Sequence, residues 1–202
     1  MGPVTRALIF ANVVVFGLQQ KYDLFLTTTF ALWPIGEYTL PGLARPVGFE
    51  PWQLVTYSFL HSTTTLAHIA LNMFALWMFG RDVERTLGSW RYAVMYFAAV
   101  LSAGLVQLLV VSSTQGDQLY PTLGASGGVF GILLAFGYLY PHRIVVLLIP
   151  PIPMPAWLFV VGYGLIELVS GVVGTQSGIA HFAHLGGMLG AYAALRHWRP
   201  RH

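Results

Sequence analysis

Ser126 stands in the stretch GASGG, residues 124–128, at the head of an apolar run, and histidines recur in two other apolar stretches. HSTTTLAHIALNMF spaces His61, His68 and Asn72 by seven and four residues, one stripe of a helix if a helix covers all three. AHFAHLGGMLGA puts His181 and His184 one helical turn apart. A serine is a poor nucleophile until a base takes its proton, and a neutral imidazole does this at physiological pH. Attack on a carbonyl then makes an oxyanion, which needs preorganised donors. A helix starting at Ser126 offers free N–H groups and a positive dipole end, and His68 and Asn72 offer side-chain donors from a facing wall. No acidic residue is placed to orient His184, so these residues point to a Ser–His dyad and not a triad. Gln107 and Glu167 are isolated polar residues in apolar stretches, each able to bond a neighbouring helix.

The elements that must carry these side chains follow from composition. Charged residues are 8% and hydrophobic ones 56% of the 202, with mean hydropathy +0.67, which describes a chain solvated by lipid. Its 22 Gly and 12 Pro interrupt the apolar mass regularly, as several spans joined by loops require. Six spans are expected, at 5–20, 57–80, 92–112, 123–140, 155–172 and 179–195, each near the roughly 20 residues that cross a bilayer. The first is not followed by an A-x-A-like cleavage site but by Gln19, Gln20 and Lys21, so it reads as a span and not a signal peptide. The absence of Cys excludes disulfides, thiolate chemistry and Cys metal sites.

Orientation comes from the basic residues. With the N-terminus inside, Arg6, Arg81, Arg85, Arg91, Arg143, Arg196, Arg199 and Arg201 are all cytoplasmic, and only Lys21 and Arg45 lie outside. The net charge of +3 is thus a topology signal and not a nucleic-acid footprint. Both termini are expected inside, in a single domain over 1–202 with no internal repeat. Residues 21–56 form the longest outer connection, with Trp33, Tyr38 and Trp52 as interfacial anchors, and IPPIPMP, 149–155, bends the entry to the fifth span. Spans two, four and six all start at the outer face, so His68, Ser126 and His184 reach a similar depth, on the order of 5 to 15 Å below the surface. Gly127 and Gly131 on the fourth span, with Gly186 and Gly190 on the sixth, are small-xxx-small pairs that bring those two backbones close.

Taken together, GASGG, AHLGG and the His68 to Asn72 spacing resemble the rhomboid intramembrane serine proteases, over nearly the whole chain and in the right order of spans. The resemblance implies an all-α, polytopic six-helix bundle that cleaves transmembrane segments of membrane-protein substrates without a cofactor. It makes Ser126 the nucleophile, His184 the general base, His68 and Asn72 the oxyanion-stabilising pair, and Gly124 the glycine two before the nucleophile. His184 is preferred to His181 because Leu185, Gly186 and Gly187 follow it as in the family, and EPWQ (50–53) and GRDVER (80–85) resemble two further motifs. Two departures are local: Gln53 stands where Arg is usual, and Phe130 where Tyr is frequent, still able to stack on the His184 ring. The lack of a seventh helix or soluble N-terminal domain marks a minimal form, for which a bacterial inner membrane is the expected setting.

Two rivals belong to other classes. A metal protease or transporter would use His61, His68, His181 and His184 as ligands, but the chain lacks H-E-x-x-H and a carboxylate in that cluster. A catalytically inactive rhomboid-like protein that binds or escorts membrane helices would need the cavity without the dyad. The glycine-rich run is no phosphate loop, since no Lys-Ser/Thr follows it.

Overall fold

A computed structural model describes residues 1–113, 120–147, 150–173 and 180–198. The chain is mostly helical. In order, the elements are α1 (Pro3–Phe30), α2 (Gln53–Thr56) continuing into a 3-10 turn (Tyr57–Phe59), α3 (Leu66–Ala75), a π-helical turn (Leu76–Gly80), α4 (Arg81–Leu87), α5 (Ser89–Ser113), α6 (Ser126–Leu139), strands β1 (Ile144–Val146) and β2 (Pro153–Pro155), α7 (Ala156–Val173) and α8 (His181–His197). Among the described residues, Ser89–Ser112 and Ala156–Val173 are long and apolar enough to cross a bilayer, and the apolar Ser126–Leu139 is shorter. Arg199 and Arg201 of the charge count, residue 149 of IPPIPMP and residue 179 of the sixth span lie outside the described residues.

The first helix runs ten residues past its expected end, with a non-helical residue at Tyr22. Gln19 does not terminate it, because its amide has a partner inside the fold: Nε2 donates to the His61 carbonyl and Oε1 accepts the His61 N–H at 2.8 Å. At the other end Pro3 takes the first helical turn, where its missing N–H is no loss. Glu84 of α4 accepts the Val4 and Thr5 N–H groups and the Thr5 hydroxyl, so the helix start is capped from a different element.

The connection after α1 is therefore shorter than expected, 31–52, and it is knitted by polar contacts. Gln53 is buried, with Oε1 accepting from the Trp33 and Glu50 N–H groups and Nε2 donating to the Gly48 and Thr29 carbonyls. Trp33 is buried and Trp52 half exposed, each indole donating to a carbonyl at the end of α1. Leu32 and Thr122 exchange reciprocal backbone bonds of 2.9 Å, which fixes the segment leading to α6.

The expected second span is broken. Leu60 leaves the 3-10 turn extended, and helix resumes only at Leu66 behind Thr65, whose hydroxyl accepts the Ala67 N–H. His61 is thus off the helix, and its spacing of seven from His68 is not a helical stripe. Pro153–Pro155 of the IPPIPMP entry pairs antiparallel with β1, Val145 opposite Met154, a small departure from an all-α fold.

Helix α5 is the axis of the packing. Tyr92, Met95, Tyr96, Ala99, Val100 and Ala103 on it are fully buried. Helix α6 is buried on nearly all sides, which is why it shows no polar face.

Candidate active site

Ser126 is the first residue of α6. The first bond inside this helix runs from the Val129 N–H to the Ala125 carbonyl, so the N–H groups of Ser126, Gly127 and Gly128 belong to the turn that has no intrahelical acceptor. Ser126 Oγ lies 2.8 Å from His184 Nε2, across 58 residues of sequence. Glycines make this approach possible, in an arrangement that corrects the expected one. A Cβ on Gly187 would overlap the Gly127 carbonyl oxygen, so Gly187 is the α8 residue facing α6. Gly186 and Gly190 face α5 instead, against the Ser102 and Ala98 carbonyls. Helix α8 therefore has small residues on two faces, one for each neighbour, which a single four-residue spacing does not reveal.

The imidazole plane is held from one side. Phe130, one turn after Ser126 on α6, stacks on the His184 ring with centroids 4.2 Å apart and 6° between planes. No phenol hydroxyl is needed for that contact.

A cavity of about 440 Å³ opens beside the pair, lined among others by Tyr57, His68, Leu71, Gly124, Ser126 and His184. His68 Nδ1 accepts the Ser62 N–H at 3.2 Å, which puts the ring proton on Nε2. Gly124 is the wall between His68 and Ser126. Its φ of +129° favours glycine, and a Cβ there would stand 2.8 Å from His68 Nε2 and 3.7 Å from Ser126 Oγ. Its N–H is committed to the Tyr57 carbonyl at 3.0 Å, so Gly124 shapes the site without offering a free donor.

Asn72 is not among the residues lining this cavity. It is buried, with Nδ2 donating to the His68 carbonyl one turn earlier. His61 is fully buried with its ring edge against His68, centroids 5.0 Å apart, and belongs to the packing behind the cavity wall.

One residue is a correction to the sequence reading. Glu167 of α7 places Oε2 2.6 Å from His181 Nδ1 and 3.0 Å from His184 Nδ1, so an acidic residue does stand beside His184. The carboxylate is buried in a helix whose other buried residues are Ala156 and Val160. Two signals pointed to it. An acid inside an apolar helix is expensive unless partnered, and α7 runs against α8, so its last turns share a level with the first turn of α8. Glu167 stands in the last turns of its helix, so a depth counted from the starts of the second, fourth and sixth spans does not include it. The ligand atoms of Glu167, His181 and His184 lie within 4.8 Å of one another and could hold a metal ion, so a carboxylate is also present in the histidine cluster. Their contacts with each other account for that convergence without an ion.

Residues 48–199 match the family model of the Rhomboid domain. The chain is 30% identical over 192 residues to Rhomboid protein 1, mitochondrial, of Saccharomyces cerevisiae, covering 91% of this chain and 49% of that protein. It is 32% identical over 148 residues to Rhomboid protease GluP of Bacillus subtilis, covering 72% of this chain and 25% of that protein. To the human Presenilin-associated rhomboid-like protein, mitochondrial, it is 29% identical over 188 residues, covering 90% and 45%. The chain spans half or less of the length of these relatives. It belongs to the rhomboid family, whose members are helical integral membrane proteins.

Proposed function

We propose that this rhomboid-family chain is an intramembrane serine endopeptidase of one domain, residues 1–202, cleaving transmembrane segments of membrane-protein substrates. The observation that carries the reading is the 2.8 Å approach of Ser126 Oγ to His184 Nε2 at the edge of a cavity. Nucleophile and base within hydrogen-bond reach are the signature of an activated serine.

The chemistry uses only groups of this chain. Ser126 Oγ attacks the scissile carbonyl carbon as its proton passes to His184 Nε2. The N–H groups at the head of α6 and the His68 Nε2–H face the developing oxyanion. His184 then gives its proton to the amine nitrogen, the C–N bond breaks, and an acyl-serine remains. Water attacks that ester, returns a proton through His184 and frees Ser126.

Six spans suit this site: α1, the helical run from Leu66 to Gly80, α5, α6, α7 and α8, with the charged α4 just past the end of the second. The 14 residues of α6 reach only about 21 Å, less than the roughly 30 Å hydrocarbon core, so Ser126 begins below a membrane surface. With both termini cytoplasmic, that surface is the outer one. A bacterial inner membrane satisfies this topology. Of the three relatives compared, one comes from a bacterium and two carry mitochondrial names.

The test is cleavage of a tagged single-span substrate in liposomes. The wild-type chain cuts it, and Ser126→Ala abolishes cutting while detergent stability stays nearly unchanged. Binding of the substrate without cutting by either form favours the escort reading. Activity that chelator removes and zinc restores would replace the serine mechanism with one that uses a metal held by Glu167, His181 and His184.

A further inference from the structure

We infer that Glu167 is a positioning residue for His184, extending the Ser126–His184 pair into a serine–histidine–carboxylate line; this rests on the protease reading above. The argument starts from where the carboxylate is. Helix α7 is apolar, and the only polar side chain among its buried residues is Glu167, which spends its burial on two imidazoles of α8. A buried carboxylate in such surroundings is costly unless hydrogen-bonded or paired. Partners on the second element therefore explain its presence.

The consequence for His184 is a choice of tautomer. An ionised carboxylate oxygen only accepts, so an Oε2 that lies 3.0 Å from Nδ1, though off its bond line, favours the tautomer with the ring proton on Nδ1. Nε2 then holds the lone pair, and it is Nε2 that faces Ser126 Oγ. The opposite tautomer would present N–H to the serine and could not take its proton. When Ser126 attacks, its proton moves to Nε2, the ring becomes cationic, and the Nδ1 proton stays where it is, beside the carboxylate.

Two further contacts make the device specific. Phe130 fixes the plane of the His184 ring by stacking, and Glu167 bears on its Nδ1 edge. His181 supplies the short, aligned bond to Oε2, 2.6 Å, and so anchors the carboxylate. His184 Nδ1 is slightly farther and off the bond line in the resting site. Catalytic hydrogen bonds commonly tighten only as charge develops, and charged pairs make the stronger bonds. On this account His181 is the holder of Glu167.

The experiment uses the full chain reconstituted in liposomes, with Glu167→Gln, Glu167→Asp and His181→Ala beside the wild type. Glu167→Gln keeps the size but offers an N–H to Nδ1, favouring the wrong tautomer. It should lower kcat on the order of 10²-fold, the lower edge of general-base catalysis, with KM little changed. The rate of fluorophosphonate labelling at Ser126 should fall in parallel, since labelling needs the same activated oxygen. Glu167→Asp recovers part of both rates, and His181→Ala loses less than Glu167→Gln. Nitrogen-15 NMR of the wild-type histidines should show His184 protonated at Nδ1 and bare at Nε2. Wild-type kcat and labelling rate in Glu167→Gln, or a His184 protonated at Nε2 in the wild type, overturns the inference. If Glu167→Gln does not fold, the Asp variant and the wild-type NMR decide. A wild-type chain that neither cuts nor labels would refute the protease reading, while the NMR still reports whether Glu167 sets the His184 tautomer.

Discussion

Helices α7 and α8 are neighbours of similar length, 18 and 17 residues, and they treat their side chains oppositely. Helix α7 is rich in Val, Leu and Ile and exposes most of them, among them Leu165, Ile166, Leu168 and Val169. Helix α8 buries His181, Ala183, His184, Gly186, Gly187, Met188, Ala191 and Leu195. In water the greasier helix would be the inner one. Here lipid is as apolar as leucine, so hydrophobicity drives neither helix inward, and close packing of small residues with satisfied polar groups decides burial. Helix α7 obeys the same rule where it buries the small Ala156 and, as its polar foothold on α8, Glu167.

The largest expected effect comes from spoiling the smallest residue of the inner helix. Gly187→Val would drive a side chain into the Gly127 carbonyl and push α8 from α6, separating Ser126 from His184. Cleavage should disappear, with a loss of stability of at least the ~1 to 3 kcal/mol typical of overpacking, read by thermal unfolding in detergent. Full activity in that variant would mean the two helices are not held as closely as their glycines permit.

The facing wall gives a graded effect. His68→Ala should lower turnover about 100-fold to 1000-fold with little change in substrate affinity, since one lost oxyanion donor costs that much. Asn72→Ala should cost less, because its amide serves the His68 carbonyl and not the cavity. Steady-state kinetics on one peptide substrate separates the two, and equal losses would return Asn72 to the cavity.

A smaller effect sits at the opposite end of the bundle, where polar satisfaction is purely structural. Burial alone would raise the Glu84 carboxyl, but the hydrogen bonds it accepts from Thr5, Val4 and Ser89 hold it below the ordinary carboxylate value. A lowered folded value means stability that is complete above the unfolded value and lost as pH falls through the folded one. Glu84→Gln should therefore cost ~1 kcal/mol, as a lost helix cap does, near neutral pH, and the gap should close in acid. A gap that widens in acid would reverse the sign. The smallest effect belongs to the lipid face of α7: Ile166→Ala should stay within about 0.5 kcal/mol of wild type in an unfolding assay.

How legible this was depended on the kind of information each residue carries. Ser126 and His184 could be paired from sequence because small residues beside each marked a close helix contact, and the structure brings them to 2.8 Å. Which glycine faces which helix was not legible, since Gly186, Gly187 and Gly190 satisfy the same small-residue pattern around two faces. His61 does not share the helical stripe its spacing suggests, because the chain is not helical between Leu60 and Thr65. Gln19, read as the end of a span, is buried because its partner backbone lies 42 residues away. Glu167 was visible as an intramembrane acid, but its partners were not, because the antiparallel run of α7 and α8 sets their common level.

On the proposed mechanism Ser126 is a nucleophile made reactive by His184. The most direct measurement is mass spectrometry of the fluorophosphonate adduct on wild type, Ser126→Ala and His184→Ala. A single adduct on the peptide containing Ser126 is expected in the wild type and none in either variant. An adduct elsewhere in the chain, or undiminished labelling of Ser126 in His184→Ala, would contradict it.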